Sequence, residues 1–315
     1  MESSLPNTKT ILALFLIITT LCITSFATAT ATDITYHGGP LLSGNVSLTV
    51  LWYGQFQPIE KRVIRNFVKS LSLEGVQMYF QPHVSCWWRQ VESYIAAADG
   101  KKSGQSARVN MRIVREVDDE NASVGKALVS DLLPGLLKKA TAGLPNTIAV
   151  IFAAKDVSVL DTCKTSTCYD RGVIGKQIYI VVGNPEEQCP GLCAVPYHKS
   201  DVTIVRPAAL TLEPASGDIG ADAMLVQFAS ALTETVTNPF NTGYFFSGLK
   251  LGKTFLQAAS ACEGAFASGA MPGYPGNVRV DPDSGGAFNA HGFNNSKFLL
   301  PALWDLKTSS CWTTL

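Results

Sequence analysis

The residues able to do chemistry are few and scattered. Cys189-Pro-Gly-Leu-Cys193 stands five residues before His198. Two thiolates and an imidazole are the ligand types that Zn²⁺ takes. The spacing is not that of a common finger, and no second cysteine pair of the same kind completes a set of four. A disulfide-braced loop is therefore the better expectation, and no metal is expected. His37, His83, His198 and His291 are the only histidines, and no His-x3-His pair exists among them. Asp281-Pro-Asp283-Ser-Gly285-Gly286 begins like a calcium loop. Gly285 comes one place before the glycine position, where a ligand is needed, and no bidentate glutamate follows at the required distance, so a tight turn is expected. Neither a Gly-x-Ser-x-Gly elbow nor a Gly-rich phosphate loop is present, and no cofactor is expected. Trp52 and Trp87 are expected in the core. Tyr244, Phe245 and Phe246, in a loop flanked by Gly243 and Gly248, are the better candidates for stacking on a sugar ring.

The elements that would position these residues follow from periodicity. Residues 47–54 read as a strand ending on Gly54, and Pro58 suits the first turn of a helix. Ile59, Val63, Ile64, Phe67, Val68 and Leu71 keep helical spacing, with Glu60, Lys61, Arg65 and Lys69 opposite. A second helix carries Trp87, Val91, Tyr94 and Ile95, and stops at Asp99-Gly100. Residues 107–113 alternate as a strand with one wet face. A helical stretch is expected from Val124 to Lys139, interrupted by Pro134-Gly135. Residues 147–154 are apolar on both faces and fit a central strand; residues 177–182 fit another. From Ile219 to Thr237 the apolar stripe is again helical, and Asn238-Pro239 ends it. The expected fold is α/β, a single domain with a mixed central sheet flanked by helices. It spans residues 32–239, with a Gly-rich, disulfide-braced C-terminal extension, 240–315, packed on the same domain. Within that extension, residues 278–281 and 287–290 flank a turn and read as a hairpin. Cys262 and Cys311 lie at its two ends, where a covalent closure would remove loop entropy.

The N-terminus sets the compartment. Lys9, an apolar run from Ile11 to Ile18, and Ala27, Ala29 and Ala31 at spacing two form a secretory signal over residues 1–31. The run is diluted by Thr19, Thr20, Thr24 and Ser25, so no membrane anchor remains after cleavage. Export makes Cys86, Cys163, Cys168, Cys189, Cys193, Cys262 and Cys311 disulfide candidates; seven is odd, so at least one thiol is free or paired outside the chain. Export also exposes the sequons at Asn45, Asn121 and Asn294 to glycosylation. The full chain has 25 basic and 25 acidic side chains. Removing the signal takes one of each, Glu2 and Lys9. Zero net charge argues against a nucleic-acid partner held by bulk electrostatics.

Several stretches together resemble the plant Exordium and Exordium-like (phosphate-induced protein) family. They are Tyr36-His-Gly-Gly-Pro-Leu-Leu42, Leu51-Trp-Tyr-Gly-Gln-Phe56, Cys189-Pro-Gly-Leu-Cys-Ala194, Thr237-Asn-Pro-Phe240, Ala258-Ala-Ser-Ala-Cys262, and Gly286-Ala-Phe-Asn-Ala290 leading to Lys297-Phe-Leu-Leu-Pro-Ala-Leu303. The resemblance covers essentially the whole mature chain, in order. It implies a secreted protein of the apoplast or cell wall, linked to brassinosteroid-dependent growth and cell expansion, whose partner is a cell-wall component or a receptor. More distant relatives carry His-Glu-x-x-Glu just before Thr-Asn-Pro, a pattern like a zinc-hydrolase helix. Here those positions read Ser230, Ala231, Leu232, Thr233 and Glu234. The metal ligand and the general base are both missing. Glu234, near a helix C-terminus where negative charge is unfavoured, is expected to meet a local partner such as a backbone amide of the 237–240 turn. The leading expectation is a non-catalytic modulator. The alternative is an apoplastic hydrolase related to zinc hydrolases, with an unidentified or degenerate site drawn from Glu234, His198 and His291.

Overall fold

The computed structural model describes residues 33–73, 81–98, 100, 108–159, 162–164, 168–199, 210–247, 250–251 and 254–315. The signal expected over 1–31, Asp99 and the start of the strand expected at Ala107 lie outside them. Five strands form the central sheet: β1 (Gly44–Tyr53), β2 (Val109–Asp119), β3 (Thr147–Ala153), β4 (Tyr169–Ile174) and β5 (Gln177–Gly183). Their order is β2-β1-β3-β5-β4. The first three pairings are parallel and β4–β5 is antiparallel, so the sheet is mixed. β3 takes the middle place and every one of its residues is buried, as its unbroken apolar run requires. Along β1, even positions face one layer and odd positions the other. Leu48, Val50 and Trp52 join Val150, Phe152, Ile180 and Val182 in the larger core. Leu51 and Tyr53 join Ala149, Ile151 and Val181 in the smaller one.

Three helices cover the larger core: α1 (Pro58–Leu71), α2 (Val84–Ala98) and α4 (Ile219–Thr237). α3 (Leu133–Thr141) covers the smaller core through Leu133, Leu136, Leu137 and Ala140. The sequence places α3 wrongly. Residues 124–129 are turn and a two-residue strand, and Pro134 lies in the first turn of the helix instead of interrupting it. Proline is tolerated there because the first N–H groups of a helix have no intrahelical acceptor. Gly135, with no φ requirement, then adds only its intrinsic cost. β4 is the strand that periodicity missed: Asp170, Arg171 and Gly172 break its apolar pattern, which an edge strand tolerates. Glu60, counted on the wet face of α1, is 4% exposed. Its carboxylate accepts from the Gln57 backbone N–H and from the Asn184 side chain.

The edge of the sheet opposite β4 is β2. Its register against β1 slips by one residue between Leu48 and Thr49. Such a bulge bends an edge and makes it a poorer template for a further strand.

The Gly-rich C-terminal segment is held by specific bonds. The hairpin forms as expected, with Arg279 opposite Phe288 and Val280 opposite Ala287. The Asn289 side chain donates to the carbonyls of Phe266 and Leu300 at 2.7 Å and accepts from Leu300 N–H at 2.8 Å. That leaves its buried amide fully engaged. Trp87 Nε1 donates to Pro301 O at 2.8 Å and the Tyr94 hydroxyl to Trp304 O at 2.6 Å, tying α2 to the tail. The Phe298 ring meets Phe67 of α1 edge-on at 6.0 Å. Residues 34–315 form one compact unit. Among the described residues, no helix is long and apolar enough to cross a membrane.

Candidate functional site

Glu234, the residue that the helix pattern singles out, lies in the last turn of α4 and is 2% exposed. Burying a carboxylate requires that its charge be answered. The Tyr169 hydroxyl donates to Oε2 at 2.7 Å, Arg171 Nε reaches the same oxygen at 3.4 Å, and Ser260 N–H donates to Oε1 at 3.0 Å. The expected backbone-amide partner exists, but it comes from the 259–264 loop and not from the 237–240 turn. The turn is bound instead through Arg171, which donates to Asn238 O at 3.0 Å and to the Gln257 side chain. Asn238 completes the circuit by donating to Gln257 at 2.8 Å and accepting from Gly243 N–H at 2.7 Å. Burial first, and the Glu234 charge second, push the Tyr169 hydroxyl well above its ordinary pKa, so it remains a donor. β4, α4 and the 257–260 loop thus meet at one carboxylate. Beside it, Ser230, Gln227, Tyr169 and Glu263 line a small cavity of about 70 Å³.

The other sequence candidates lie elsewhere. His198 is exposed and bonds Lys199 O at 2.9 Å. His291 sits at the hairpin, its N–H donating to Pro82 O, and forms a bridge with buried His83. Burial, then Arg279, Lys297 and His83, hold its imidazole below the ordinary pKa. His37 is exposed and stacks on Phe245 at 3.7 Å. None of these imidazoles touches Glu234. Among the described residues, no group of three His, Cys, Asp or Glu side chains is placed to hold a metal ion.

The cysteines pair as Cys163–Cys189, Cys168–Cys193 and Cys262–Cys311, and Cys86 is free. Cys189 and Cys193 thus serve two neighbouring bridges, with their sulfurs 3.3 Å apart. The Asn45, Asn121 and Asn294 side chains are all exposed. Tyr244 is buried, stacked on Tyr36 at 5.0 Å and edge-on to Tyr94, which removes it from the sugar-stacking candidates; Phe245 and Phe246 are half-buried.

The larger concavity was not legible beforehand. It is a polar cleft of about 490 Å³ between α1, the turn before α4, the hairpin turn and residues 294–298. It starts at the carboxyl-end side of the sheet, where open α/β sheets bind ligands. That side is fixed by Asn184, just after β5. Its side chain donates to Glu60 of α1 and lies where a Cβ on Gly220 of α4 would be 2.5 Å from it. Arg62, Ser216, Asp283, Asn294 and Lys297 line the cleft walls, with Val63 and Phe298 as its apolar base. Asn66 donates to Ser296 Oγ at 2.8 Å across it. One signal pointed here: Asn66 falls inside the apolar stripe of α1 and is 8% exposed. Just behind the cleft, Asp222 accepts from Ser216 N–H at 2.8 Å through Oδ2, while Oδ1 and the Tyr197 hydroxyl have no hydrogen-bond partner among the described residues. Burial lifts the Asp222 carboxyl to about 7.

The family model described as "Phosphate-induced protein 1 conserved region" matches residues 34–314. The chain belongs to this family. Among its relatives, Protein EXORDIUM-like 2 of Arabidopsis thaliana is 40% identical over 287 residues, 88% of each chain. Protein EXORDIUM of the same plant is 38% identical, again over 88% of each chain. Protein PHOSPHATE-INDUCED 1 of Nicotiana tabacum is 37% identical over 96% of this chain and 97% of its own. No solved structure matches. The matched residues run from before β1 to the last strand, so the Glu234 circuit, the three disulfides and the cleft all fall inside the family region.

Proposed function

We propose that this Exordium-family chain is exported and acts in the apoplast as a non-catalytic modulator of brassinosteroid-dependent growth and cell expansion, through a cell-wall component or a receptor. The observation that carries the reading is the occupancy of Glu234. At the helix position where a hydrolase would present a metal ligand, both carboxylate oxygens are already engaged by Tyr169, Arg171 and the Ser260 amide. A carboxylate so held positions three chain segments, and each of its oxygens already accepts a hydrogen bond from the chain. Ser230 and Ala231 supply neither ligand nor base. The three disulfides support export to an oxidising compartment. The names of the relatives support membership of the Exordium family, and the growth reading rests on that resemblance.

The test uses a plant lacking the protein, rescued with Ser230→Ala or Glu234→Gln and with apoplastic protein levels matched. Both variants are expected to restore growth per secreted molecule, and the purified protein to carry no stoichiometric zinc. Normal secretion of Ser230→Ala with complete loss of growth activity, or one zinc per chain, would overturn the reading. N-terminal sequencing of apoplastic protein is expected to begin after Ala27, Ala29 or Ala31; retention of Met1 would defeat the export step.

A further inference from the structure

The cleft over α1 has the properties of a preformed recognition site. Its walls are pinned without a ligand. A Cβ on Gly286 would stand 2.7 Å from Ala215, so hairpin and turn touch backbone to backbone, and Ala287 N–H bonds Glu213 O at 2.8 Å. The opposite wall is fixed where Ser70 Oγ accepts from Phe293 N–H at 2.7 Å and where Asn66 donates to Ser296. Its volume of about 490 Å³ lies in the range of small-ligand sites.

The polar groups define the ligand. Lys297 is neutralised by Asp281 at 2.6 Å. Among the described residues, Arg62 and Asp283 have no side-chain hydrogen bond or ion pair, and both are exposed. Two cations face two carboxylates, so the cleft carries no net charge to hold an anion such as phosphate or a uronate. What it offers is a mixture of planar donors and acceptors, namely guanidinium, carboxylate and the amides of Asn294 and Asn295, over an apolar base. Adjacent hydroxyls of a sugar ring donate and accept at once, and they match such a set. An ion or a purely apolar ligand would leave half of it unpaired.

We propose that this cleft binds a neutral saccharide. The proposal rests on the reading of the chain as an exported binding protein and names the chemical class of its wall partner. The saccharide has two possible sources, because Asn294 is both a cleft residue and the acceptor of a sequon. An N-glycan on Asn294 can fill the cleft of its own chain, or an external oligosaccharide can enter it.

The experiment titrates the mature chain, made without N-glycans in an oxidising bacterial compartment, with cellotetraose, a xyloglucan heptasaccharide and a trimannosyl-core N-glycan. Tetragalacturonic acid is the charged control. Saturable binding of at least one neutral probe is expected, weakened roughly tenfold or more by Arg62→Ala and by Asp283→Ala with the melting temperature unchanged. Loss of that binding in plant-made protein carrying the Asn294 glycan assigns the cleft to the chain's own glycan; equal binding assigns it to an external saccharide. No saturable binding of any neutral probe, binding indifferent to both substitutions, or preference for tetragalacturonic acid would overturn the proposal. Such a failure leaves the growth result for Ser230→Ala standing, so the two readings fail separately.

Discussion

Two polar regions flank the same layer of helices, and they are built on opposite rules. Around Glu234 the carboxylate and its guanidinium partner are 2% and 8% exposed, and the charged groups are satisfied from within the chain. In the cleft over α1, the Arg62 and Asp283 side chains are exposed and have no partner among the described residues. A desolvated charge is tolerated only when it is paired, whereas a solvated one can wait for a ligand at little cost. Polar density alone therefore does not mark a functional site. The informative feature is which groups the fold has left unanswered. On the proposed reading, the helix that looks like a degenerate hydrolase is scaffold, and the less conspicuous cleft is the recognition surface.

The largest expected effect breaks the closed region. Glu234→Gln leaves Arg171 buried without its counter-charge, a change that costs about 3–5 kcal/mol in comparable pairs. Denaturant unfolding of the purified variant checks this. Combining it with Arg171→Met should recover part of the loss, and strict additivity of the two changes would show that they are not coupled. Next comes Asp222, which is buried like Glu234 yet left half-answered like the cleft. Its carboxyl rises from its ordinary 3.8 to about 7, so the native state keeps a proton that the unfolded chain releases. The stability this group supplies is complete below about pH 4 and declines until about pH 7, by an amount on the order of a few kcal/mol. Asp222→Asn should flatten that decline and raise the melting temperature more at pH 8 than at pH 5. An unchanged pH profile would remove Asp222 from the comparison. Asn66 joins the two regimes, since it is buried but points across the cleft. Asn66→Ala should cost about 1–2 kcal/mol through the lost bond to Ser296. The smallest effect is expected at the open end. Arg62→Ala and Asp283→Ala should each stay within about 0.5 kcal/mol of the parent. A larger loss at either would mean that the cleft is scaffold too.

The sequence disclosed the elements that are continuous in it. α4 was delimited residue for residue, because an uninterrupted stripe meets an Asn-Pro stop, and β3 was placed centrally by its apolar run. β4 escaped because an edge strand needs only partial burial, so Asp170, Arg171 and Gly172 erased its period. Residues 124–129 mimicked a helix because their apolar residues serve a turn and a two-residue strand against Ser158 and Val159. The family resemblance led to Glu234, but its partners on β4 and in the 257–260 loop are distant in sequence. The cleft is the extreme case. It is assembled from Arg62, Ser216, Asp283 and Asn294, each unremarkable in its own neighbourhood, and only buried Asn66 betrayed it.

The pattern of cross-links has a mechanical consequence. Cys163–Cys189 and Cys168–Cys193 enclose interleaved loops, and Cys262–Cys311 encloses a span of 49 residues. If the chain is pulled by its ends, as it would be when anchored in a stretching matrix, the residues inside these rings cannot be drawn out. The last ring alone withholds about 160 Å of contour length, at ~3.3 Å per extended residue. The hairpin and the 294–298 wall of the cleft lie within that shielded span, whereas α1 and the turn before α4 lie outside it.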